Sequence, residues 1–237
     1  MPGLMPVDDA LERLLGDVSV RAGVERVDVR RASGRVAAAP VAAAIDVPPA
    51  ANSAMDGYAF LHAGVAEGDV LAVSARIPAG TAPGALQAGT AARIFTGAPM
   101  PAGADTVVMQ EDVREQGADI VIAELPEQAD NVRPAGQDIV AGGEVIAAGR
   151  RLSPPDLGLA TSVGTHEIDV YRPLRVALIA TGDELVEPPE PLAPGQIYNS
   201  SHYALSALLE QDGFEVVDLG LVEDTQSATE RALAEAA

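Results

Sequence analysis

The chain has 237 residues, 48% of them hydrophobic but only 3% aromatic, so its core is expected to consist of small aliphatic side chains. Its 35 acidic and 15 basic residues give a formal net charge of −20, which argues against nucleic acids and anionic membranes as partners. Because it has no cysteine, disulfides and thiolate metal sites are excluded. The N-terminal segment lacks the basic start of a signal peptide, and the longest apolar run, residues 176–180, is too short to span a bilayer. These features predict a soluble, cytoplasmic protein.

The first predicted elements lie in the N-terminal fifth of the chain. Residues 7–18 repeat apolar side chains on one side and begin with acids, which predicts an amphipathic helix. A short strand over residues 26–31, a weak helix over 32–39 and an extended stretch over 40–47 are expected to follow.

The segment "NSAMDGYAF", residues 52–60, has neither a helical period nor a strand alternation. This lack of pattern predicts that the segment is not selected for burial. Asp56 at its centre is either an ordinary turn residue or a carboxylate held out for chemistry, and the segment alone leaves both readings open.

Short β-rich runs separated by glycine and proline turns fill residues 65–148 and predict a compact β-rich region. Thr96 and Gly97 follow one of these strands, where a hydroxyl and exposed N–H groups could receive an anion; a plain turn is the alternative. Arg133 lies five residues before Asp138. Since every basic residue of the chain is an arginine, a phosphate contact by a side chain would need an arginine such as this one. A plain surface charge is again the alternative.

The C-terminal third predicts a change of architecture. Ser153, Pro154 and Asp156 have the spacing of an N-cap, a first helical position and a capping box, which predicts the start of a helix. Residues 174–237 then read strand, loop, helix, strand, helix. Continuous apolar strands alternating with amphipathic helices predict part of a doubly wound parallel sheet.

The motif "ATGDEL", residues 180–185, lies at the predicted carboxyl end of a parallel strand, where ligands bind in open α/β sheets. Gly182 would let the backbone approach a ligand, and Asp183 and Glu184 suit a metal ion or a hydroxyl; the alternative is that Asp183 only caps the next segment. The three histidines are scattered without metal-ligand spacing. No motif for nucleotide hydrolysis, esterase chemistry or a Rossmann dinucleotide site occurs.

Carboxylates with one arginine and no nucleophile–base pair do not make a hydrolase triad. They offer instead a place where Mg²⁺ could bridge protein acids to the phosphates of an anionic ligand. Such a bridge would let a strongly acidic protein bind a polyanion. The candidate residues are Asp56, Thr96, Arg133, Asp138 and Glu184.

Four long segments occur in a recognisable order: "PPANSAMDGYAF", "RIFTGAPMPAGADTVVMQED", "NVRPAGQDIVAGGEVIAAGRRLSP" and "ALIATGDELV…GQIYNS". In this order and spacing they resemble the MoeA-type molybdopterin molybdenumtransferases, which are related to the C-terminal part of gephyrin. The resemblance runs from about residue 7 to the end of the chain.

The resemblance implies a multidomain fold that is α/β and β-rich. An elongated dimerisation domain of helices and strands would carry an inserted β-rich domain, followed by the start of a doubly wound α/β domain that binds molybdopterin. The implied boundaries are residues 1–26, 40–54 and 139–173 for the first domain, 27–39 and 55–138 for the second, and 174–237 for the third.

For function, the resemblance implies insertion of molybdate into adenylylated molybdopterin with release of AMP, a Mg²⁺-dependent step of molybdenum-cofactor synthesis. It implies a homodimer whose active site lies between the pterin-binding domain of one subunit and the β-rich domain of the other. The expected partners are the pterin nucleotide, the molybdopterin adenylyltransferase and molybdoenzyme chaperones. The 237 residues alone are not expected to catalyse the reaction, because the rest of the pterin-binding domain is missing.

The resemblance also assigns roles to residues by motif. Two positions depart from the common family pattern, since Gln137 replaces a frequent acid and Ser201 replaces a frequent asparagine. Catalytic roles are implied for Asp56, Thr96, Asp138 and Glu184. Substrate contacts are implied for Arg133, Gly182, Asp183 and Ser53. Mg²⁺ ligation is implied for Asp138 and Glu184.

Two other functions stay open at this point. A non-catalytic, dimeric scaffold of the gephyrin type would bind a partner peptide and would need no acids in a cleft. A stand-alone relative that transfers adenylyl groups would use only the α/β domain, but such a protein would not need residues 1–170.

Overall fold

The computed structural model describes residues 5–16, 18–19 and 22–236. Within them, the α-helices are α1 (Val7–Gly16), α2 (Pro154–Ser162), α3 (Ser200–Gln211) and α4 (Gln226–Ala236). The strands are β1 (Val24–Asp28), β2 (Val41–Ala42), β3 (Asn52–Ser53), β4 (Gly57–Phe60), β5 (Val70–Ile77), β6 (Thr90–Ile94), β7 (Thr106–Met109), β8 (Val113–Gln116), β9 (Asp119–Ile122), β10 (Val132–Arg133), β11 (Glu144–Ile146), β12 (Glu167–Tyr171), β13 (Arg175–Thr181), β14 (Leu185–Val186), β15 (Ile197–Tyr198) and β16 (Glu215–Val222). In this part of the chain no helix is both long and apolar enough to cross a membrane.

The fold is mixed α/β and rich in strands, as predicted, and it divides into two compact units. The first unit comprises residues 1–39, 148–154 and 167–237, and the second comprises residues 40–147 and 155–166. The second unit contains β2 to β11, and the first contains β1 and β12 to β16 with α3 and α4. The division into three domains implied by the resemblance stays a prediction.

The second unit is built on a six-stranded sheet in the order β7-β4-β6-β5-β9-β8. All neighbouring pairs are antiparallel except β5 and β6, which are parallel. Alternate residues of β4 belong to different buried clusters: Tyr58 and Phe60 pack in one and Ala59 in the other. Because successive side chains of a strand point to opposite faces, this sheet is covered on both faces.

The prediction that residues 52–60 are not selected for burial is wrong for their second half. Residues Gly57–Phe60 form β4 and are all buried. A strand in the middle of a sheet that is covered on both faces needs apolar or small residues at every position, so it shows no alternation. Gly57 is small for a steric reason, because a Cβ atom there would lie 2.0 Å from the carbonyl oxygen of Val108.

The described residues of the first unit form three strand pairs, of which β14 with β15 is a short parallel one. β1 pairs antiparallel with β12, and β13 pairs parallel with β16. α3 and α4 both pack on the pair of β13 and β16, so the predicted order of strand, loop, helix, strand and helix is confirmed.

Other helix predictions have mixed outcomes. α1 is confirmed and has no buried residue; its leucines Leu11, Leu14 and Leu15 are all exposed. α2 begins at Pro154, as predicted.

The weak helix predicted over residues 32–39 is wrong, and the strand before it ends earlier than predicted. β1 ends at Asp28, whose carboxylate accepts a hydrogen bond from the backbone N–H of Arg30 and starts a single 3₁₀ turn. Val36 and Ala37 then form isolated β-bridges with Arg151 and Val170. Pairing with distant segments therefore outweighs the helical preference of the alanines.

Candidate functional site

The three candidate motifs of the second unit meet at β3, the two-residue strand before Asp56. β3 pairs antiparallel with β10, with Arg133 opposite Asn52. On its other side Asn52 forms a bridge with Pro99, and the N–H of Gly97 donates to the carbonyl of Ser53 at 2.8 Å. Segments that lie about 40 and 80 residues apart in the sequence therefore converge on one short strand.

Asp56 lies in the turn between β3 and β4. Its Oδ1 accepts two hydrogen bonds from Thr96, one from the backbone N–H and one from the hydroxyl, both at 2.8 Å. The N–H bond and then the hydroxyl bond lower the pKa of Asp56, and the nearby charge of Arg93 acts in the same direction. Asp56 is therefore ionised at neutral pH and fixed in orientation by its Thr96 partner.

The backbone of the "TGAP" loop is not open to an anion, contrary to prediction. The N–H of Thr96 donates to Asp56, that of Gly97 to Ser53, and that of Ala98 to Phe95. The loop uses these three donors to build the turn that holds Asp56.

Ser53 is buried, with 1% of its surface exposed. Its hydroxyl donates to the carbonyl of Met55 at 2.6 Å and accepts from the N–H of the same residue at 3.3 Å. The side chain therefore stabilises the turn that leads to Asp56. The substrate contact implied for Ser53 stays a prediction.

Arg133 and Asp138 form an ion pair across a turn, with Nη2 2.5 Å from Oδ2. The Nε of Arg133 also donates to Oε1 of Gln137 at 3.1 Å. Gln137, which replaces an acid that is frequent in the family, therefore helps to hold the arginine. The N–H of Asp138 donates to the carbonyl of Val47 at 2.9 Å. Both side chains are more than one-third exposed, so the pair faces solvent. Asp56, Thr96, Arg133 and Asp138 are called the β-rich cluster below.

In the first unit, Asp183 and Glu184 follow the carboxyl end of β13, as predicted, and are called the strand-end acids below. Both are exposed. Their carboxylates accept no hydrogen bond from the residues that the structure describes. Gly182 has a φ of +147°, and a Cβ there would lie 2.8 Å from Oε2 of Glu184. The glycine therefore leaves room for the Glu184 carboxylate.

Two further acids lie at the same edge and were missed by sequence reasoning. Thr181 pairs with Val222 in the parallel register of β13 and β16, so the residues that follow each strand lie at one edge of the pair. Glu223 and Asp224 come directly after β16. Like the acids of the "TGDEL" motif, they directly follow an apolar strand, and this position could have identified them from the sequence.

Sequence reasoning also missed a polar cluster around α3. Glu187 accepts from Nδ2 of the buried Asn199 at 2.7 Å and from the hydroxyl of Tyr203 at 2.8 Å, and these two bonds lower the pKa of Glu187. His202 is 7% exposed and its Nε2 lies 2.9 Å from Oδ2 of Asp218. The His202 bond, followed by one from the N–H of Gly220, lowers the pKa of Asp218. These carboxylates, unlike the strand-end acids, are held by the protein.

Within residues 5–16, 18–19 and 22–236, no three His, Asp or Glu side chains lie close enough together to hold a metal ion. Mg²⁺ bound with nucleotides needs only one or two protein carboxylates, because phosphates and water supply the other ligands. Glu184 fits that requirement without rearrangement. Asp138 fits it only through the oxygen that Arg133 does not hold.

The chain matches known proteins over nearly its whole length. It is 41% identical over 234 residues to a molybdopterin molybdenumtransferase from a Nostoc species, an alignment that covers 96% of this chain and 54% of that protein. It is 37% identical to the molybdopterin molybdenumtransferase of Haemophilus influenzae, covering 97% of this chain and 57% of that protein. The chain therefore spans about half the length of these curated relatives.

The fold is also similar to solved structures. The molybdopterin biosynthesis MoeA protein of Pyrococcus horikoshii superposes with a TM-score of 0.90 at 31% identity, over 99% of this chain and 64% of that one. Residues 177–237 match a family described as a probable molybdopterin binding domain. Residues 5–164 match the MoeA N-terminal region, domains I and II, and the chain therefore belongs to the MoeA family.

Proposed function

We propose that the protein inserts molybdate into adenylylated molybdopterin and releases AMP. The observation that carries this proposal is the convergence of three distant motifs on β3, so that the segments of an ionised, oriented Asp56 and of the Arg133–Asp138 pair join at one short strand. Family membership supports the same reaction, because relatives at 37% to 41% identity are molybdopterin molybdenumtransferases.

The reaction moves negative charge, since an adenylate leaves and an oxyanion enters, so the site has to neutralise it. Arg133 is suited to this task because its guanidinium has five N–H donors, of which the ion pair with Asp138 and the bond to Gln137 use only part. The N–H groups of Thr96 and Gly97 are already engaged. Recognition of the anion therefore falls to Arg133 and to bound metal rather than to the loop backbone.

Asp56 has a different role in this proposal. Its carboxylate is held by Thr96 through one oxygen, which leaves the other oxygen to accept hydrogen bonds from the substrate. A fixed carboxylate orients N–H donors of a pterin ring without paying for its own reorganisation. Asp56 is thus a positioned acceptor and not only a turn residue.

Mg²⁺ is part of the proposal. When bound, it would neutralise phosphate charge and polarise the bond that releases AMP. Glu184, with its exposed carboxylate, and Asp138 are the residues that would hold it, together with phosphate oxygens of the substrate.

The direct test is an assay of AMP release from adenylylated molybdopterin by the intact protein. We expect AMP only when molybdate and Mg²⁺ are both present, and a parallel reaction with tungstate measures selectivity between the two oxyanions. The variants Asp56→Asn and Asp138→Asn should lose most of the activity, while Asp119→Asn, on β9, should keep it. AMP release that is indifferent to molybdate would contradict the proposal.

The proposal includes a cytoplasmic homodimer whose active sites draw on two subunits, as the resemblance implies. If Asp56 and Glu184 act from different subunits, mixing the inactive variants Asp56→Asn and Glu184→Gln restores one intact site in each mixed dimer, or about a quarter of all sites after random exchange. If both residues act from the same subunit, the mixture stays inactive. Sedimentation of the same mixture checks that dimers form.

A non-catalytic scaffold is the second candidate, and the exposed leucines of α1 favour it, because an unpaired apolar helix face can bind a partner. A scaffold needs neither Asp56 nor Glu184. The double variant Asp56→Asn with Glu184→Gln would then leave molybdoenzyme activity in cells unchanged. The transferase proposal expects that activity to be lost.

A further inference from the structure

Arg93, on β6, contacts the backbone next to Asp56 directly and is linked to Asp56 itself through Gln110. Its Nη1 donates to the carbonyl of Gly57, the next residue, at 2.9 Å. Its Nη2 donates to Oε1 of Gln110 at 2.5 Å, and the N–H of Gln110 donates to the carbonyl of Asp56 at 3.1 Å. One guanidinium therefore ties together the start of β4 and the segment after β7 that holds Asp56.

The same guanidinium lies between two aromatic rings. Its Cζ is 5.0 Å from the ring centroid of Tyr58 and 4.7 Å from that of Phe95. Tyr58 lies directly opposite Arg93 in the ladder of β4 and β6, and Phe95 immediately precedes Thr96, the hydrogen-bond partner of Asp56. Each cation–π contact of this kind is attractive, and more so where water is excluded. The rings fix the plane of the guanidinium and link it to the Thr96 loop.

A second arginine extends the stack. Arg76 of β5 lies opposite Arg93 in the sheet, and its Cζ is 4.7 Å from the ring centroid of Phe95. Arg76 is exposed, and its guanidinium makes no hydrogen bond to the described residues. It therefore provides a comparison in which a guanidinium stacks on the same ring without touching the Asp56 turn.

We propose that Arg93 is a positioning residue for the Asp56–Thr96 pair, so that the orientation of the Asp56 carboxylate depends on it. The inference rests on the proposed function and deepens it, because it names a residue that acts on the reaction through Asp56. The role needs a planar fork, which can donate two bonds in different directions while it stacks on two rings. Lysine has the charge but not this geometry.

A purely structural role for Arg93 predicts a different pattern. If Arg93 only stabilised the sheet, its replacement would lower the free energy of unfolding and remove a charge near Asp56, but the folded Asp56 turn and kcat would stay unchanged, and a lysine would fully restore the titration. If Arg93 positions Asp56, its replacement changes the folded site itself. The two roles are therefore separated by measurements made well below the unfolding transition.

The experiment compares four variants of the intact protein: Arg93→Met, Arg93→Lys, Arg76→Met and Arg114→Met. Arg114 is a matched control, because it is an exposed arginine of the same sheet on the edge strand β8. For each variant, kcat and KM are measured for AMP release. The Asp56 carboxylate is titrated by carbon NMR, with its signal identified by its loss in Asp56→Asn.

We expect Arg93→Met to lower kcat by roughly 10- to 100-fold, as misplaced catalytic groups do, with KM changed less, and to move the Asp56 titration to higher pH. Arg93→Lys should restore much of the titration but not kcat, because it returns the charge without the fork. Arg76→Met and Arg114→Met should leave both readouts unchanged.

An unchanged Asp56 signal in folded Arg93→Met, or full recovery of kcat in Arg93→Lys, would overturn the inference. A different result isolates the proposed function. If the wild-type protein releases no AMP in response to molybdate while Arg93→Lys, which keeps the charge, still shifts the Asp56 titration, then the proposed reaction fails and the positioning role stands.

Discussion

The acids of the two units differ in how the protein holds them. In the β-rich cluster, Asp56 receives two hydrogen bonds from Thr96 and Asp138 pairs with Arg133. The strand-end acids Asp183 and Glu184 are exposed, and their carboxylates receive no hydrogen bond from the described part of the chain. The carboxylates of the β-rich cluster are therefore oriented before a ligand binds, whereas the oxygens of the strand-end acids are free to bind one.

This difference suits two different tasks. A carboxylate that orients a substrate gains from being fixed in advance, because the cost of ordering it is met during folding. A carboxylate that binds a cation has to exchange water for the ion, and hydrogen bonds from the protein would compete with the metal. We therefore expect changes in the β-rich cluster to act through geometry and changes at the strand-end acids to act through metal dependence.

The largest loss of stability should come from Gly57→Ala, which disturbs the strand next to Asp56 and so the β-rich cluster. The new Cβ would lie 2.0 Å from the carbonyl oxygen of Val108, so β4 and β7 would have to separate. We expect a loss of about 3 kcal/mol in the free energy of unfolding, at the upper end for overpacked positions, measured by urea unfolding. Gly84→Ala is the control, because no atom lies within 4 Å of its Cβ position. Equal losses in the two variants would contradict this account.

A smaller effect is expected from Gly182→Ala, which disturbs the strand-end acids. Its Cβ would lie 2.8 Å from Oε2 of Glu184, at a φ of +147° that side chains rarely adopt. Gly195→Ala has the same kind of backbone strain, with a φ of +89° and open space around the Cβ. Each should cost about 1–3 kcal/mol of stability, but only Gly182→Ala should raise the Mg²⁺ concentration needed for half-maximal AMP release. A similar Mg²⁺ requirement in both variants would show that Glu184 is not a ligand.

Thr96→Val should have a more limited effect, which depends on pH. The folded pKa of Asp56 is lowered, so its stabilising contribution is present above the unfolded pKa of about 3.9 and is lost as the pH falls through the folded pKa. The valine removes the hydroxyl bond but keeps the larger N–H bond, so it moves the pKa of Asp56 part of the way back. Wild type should therefore be more stable than the variant above about pH 4 and converge with it in acid, as measured by urea unfolding across that range. A difference that stays constant with pH would point to packing rather than to Asp56.

The smallest effect is expected from Tyr203→Phe, which tests whether a held carboxylate in the first unit behaves like those of the β-rich cluster. The bond from Tyr203 to Glu187 raises the pKa of the tyrosine, so the variant should lose one late-titrating tyrosine in an absorbance titration. Because the tyrosine is exposed, the free energy of unfolding should hardly change. Loss of an early-titrating tyrosine would show that the bond does not form.

Sequence patterns predicted the elements whose burial is one-sided or continuous. α1, α2 and the succession from β13 to α4 follow apolar periodicity and capping signals that local residues carry. β4 was missed because it is buried on both faces, so its pattern resembles none of the simple periods. The false helix at residues 32–39 has the same origin, since its bridges to Arg151 and Val170 depend on residues more than 100 positions away.

For the candidate site, sequence motifs named residues whose roles stay predictions, and they did not reveal the hydrogen bonds between those residues. Asp56, Arg133 and Asp138 were named from their motifs, but the ion pair between Arg133 and Asp138 was not predicted. The sequence did not show that Thr96 and Gly97 hold the Asp56 turn, because a free N–H and one that donates to a distant acceptor look identical in sequence. The same holds for Arg93, which a strand pattern marks only as a polar position.

The place of β4 in its sheet also determines how the molecule fluctuates. β4 is bonded on both edges, to β6 and to β7, and supplies side chains to both buried clusters, so opening it would require local unfolding of most of the sheet. Its amide protons should therefore be among the slowest in the second unit to exchange with deuterium. Asp56, attached directly to this strand, sits on one of the least mobile parts of that unit, and any breathing that lets a ligand in has to come from the loops around it.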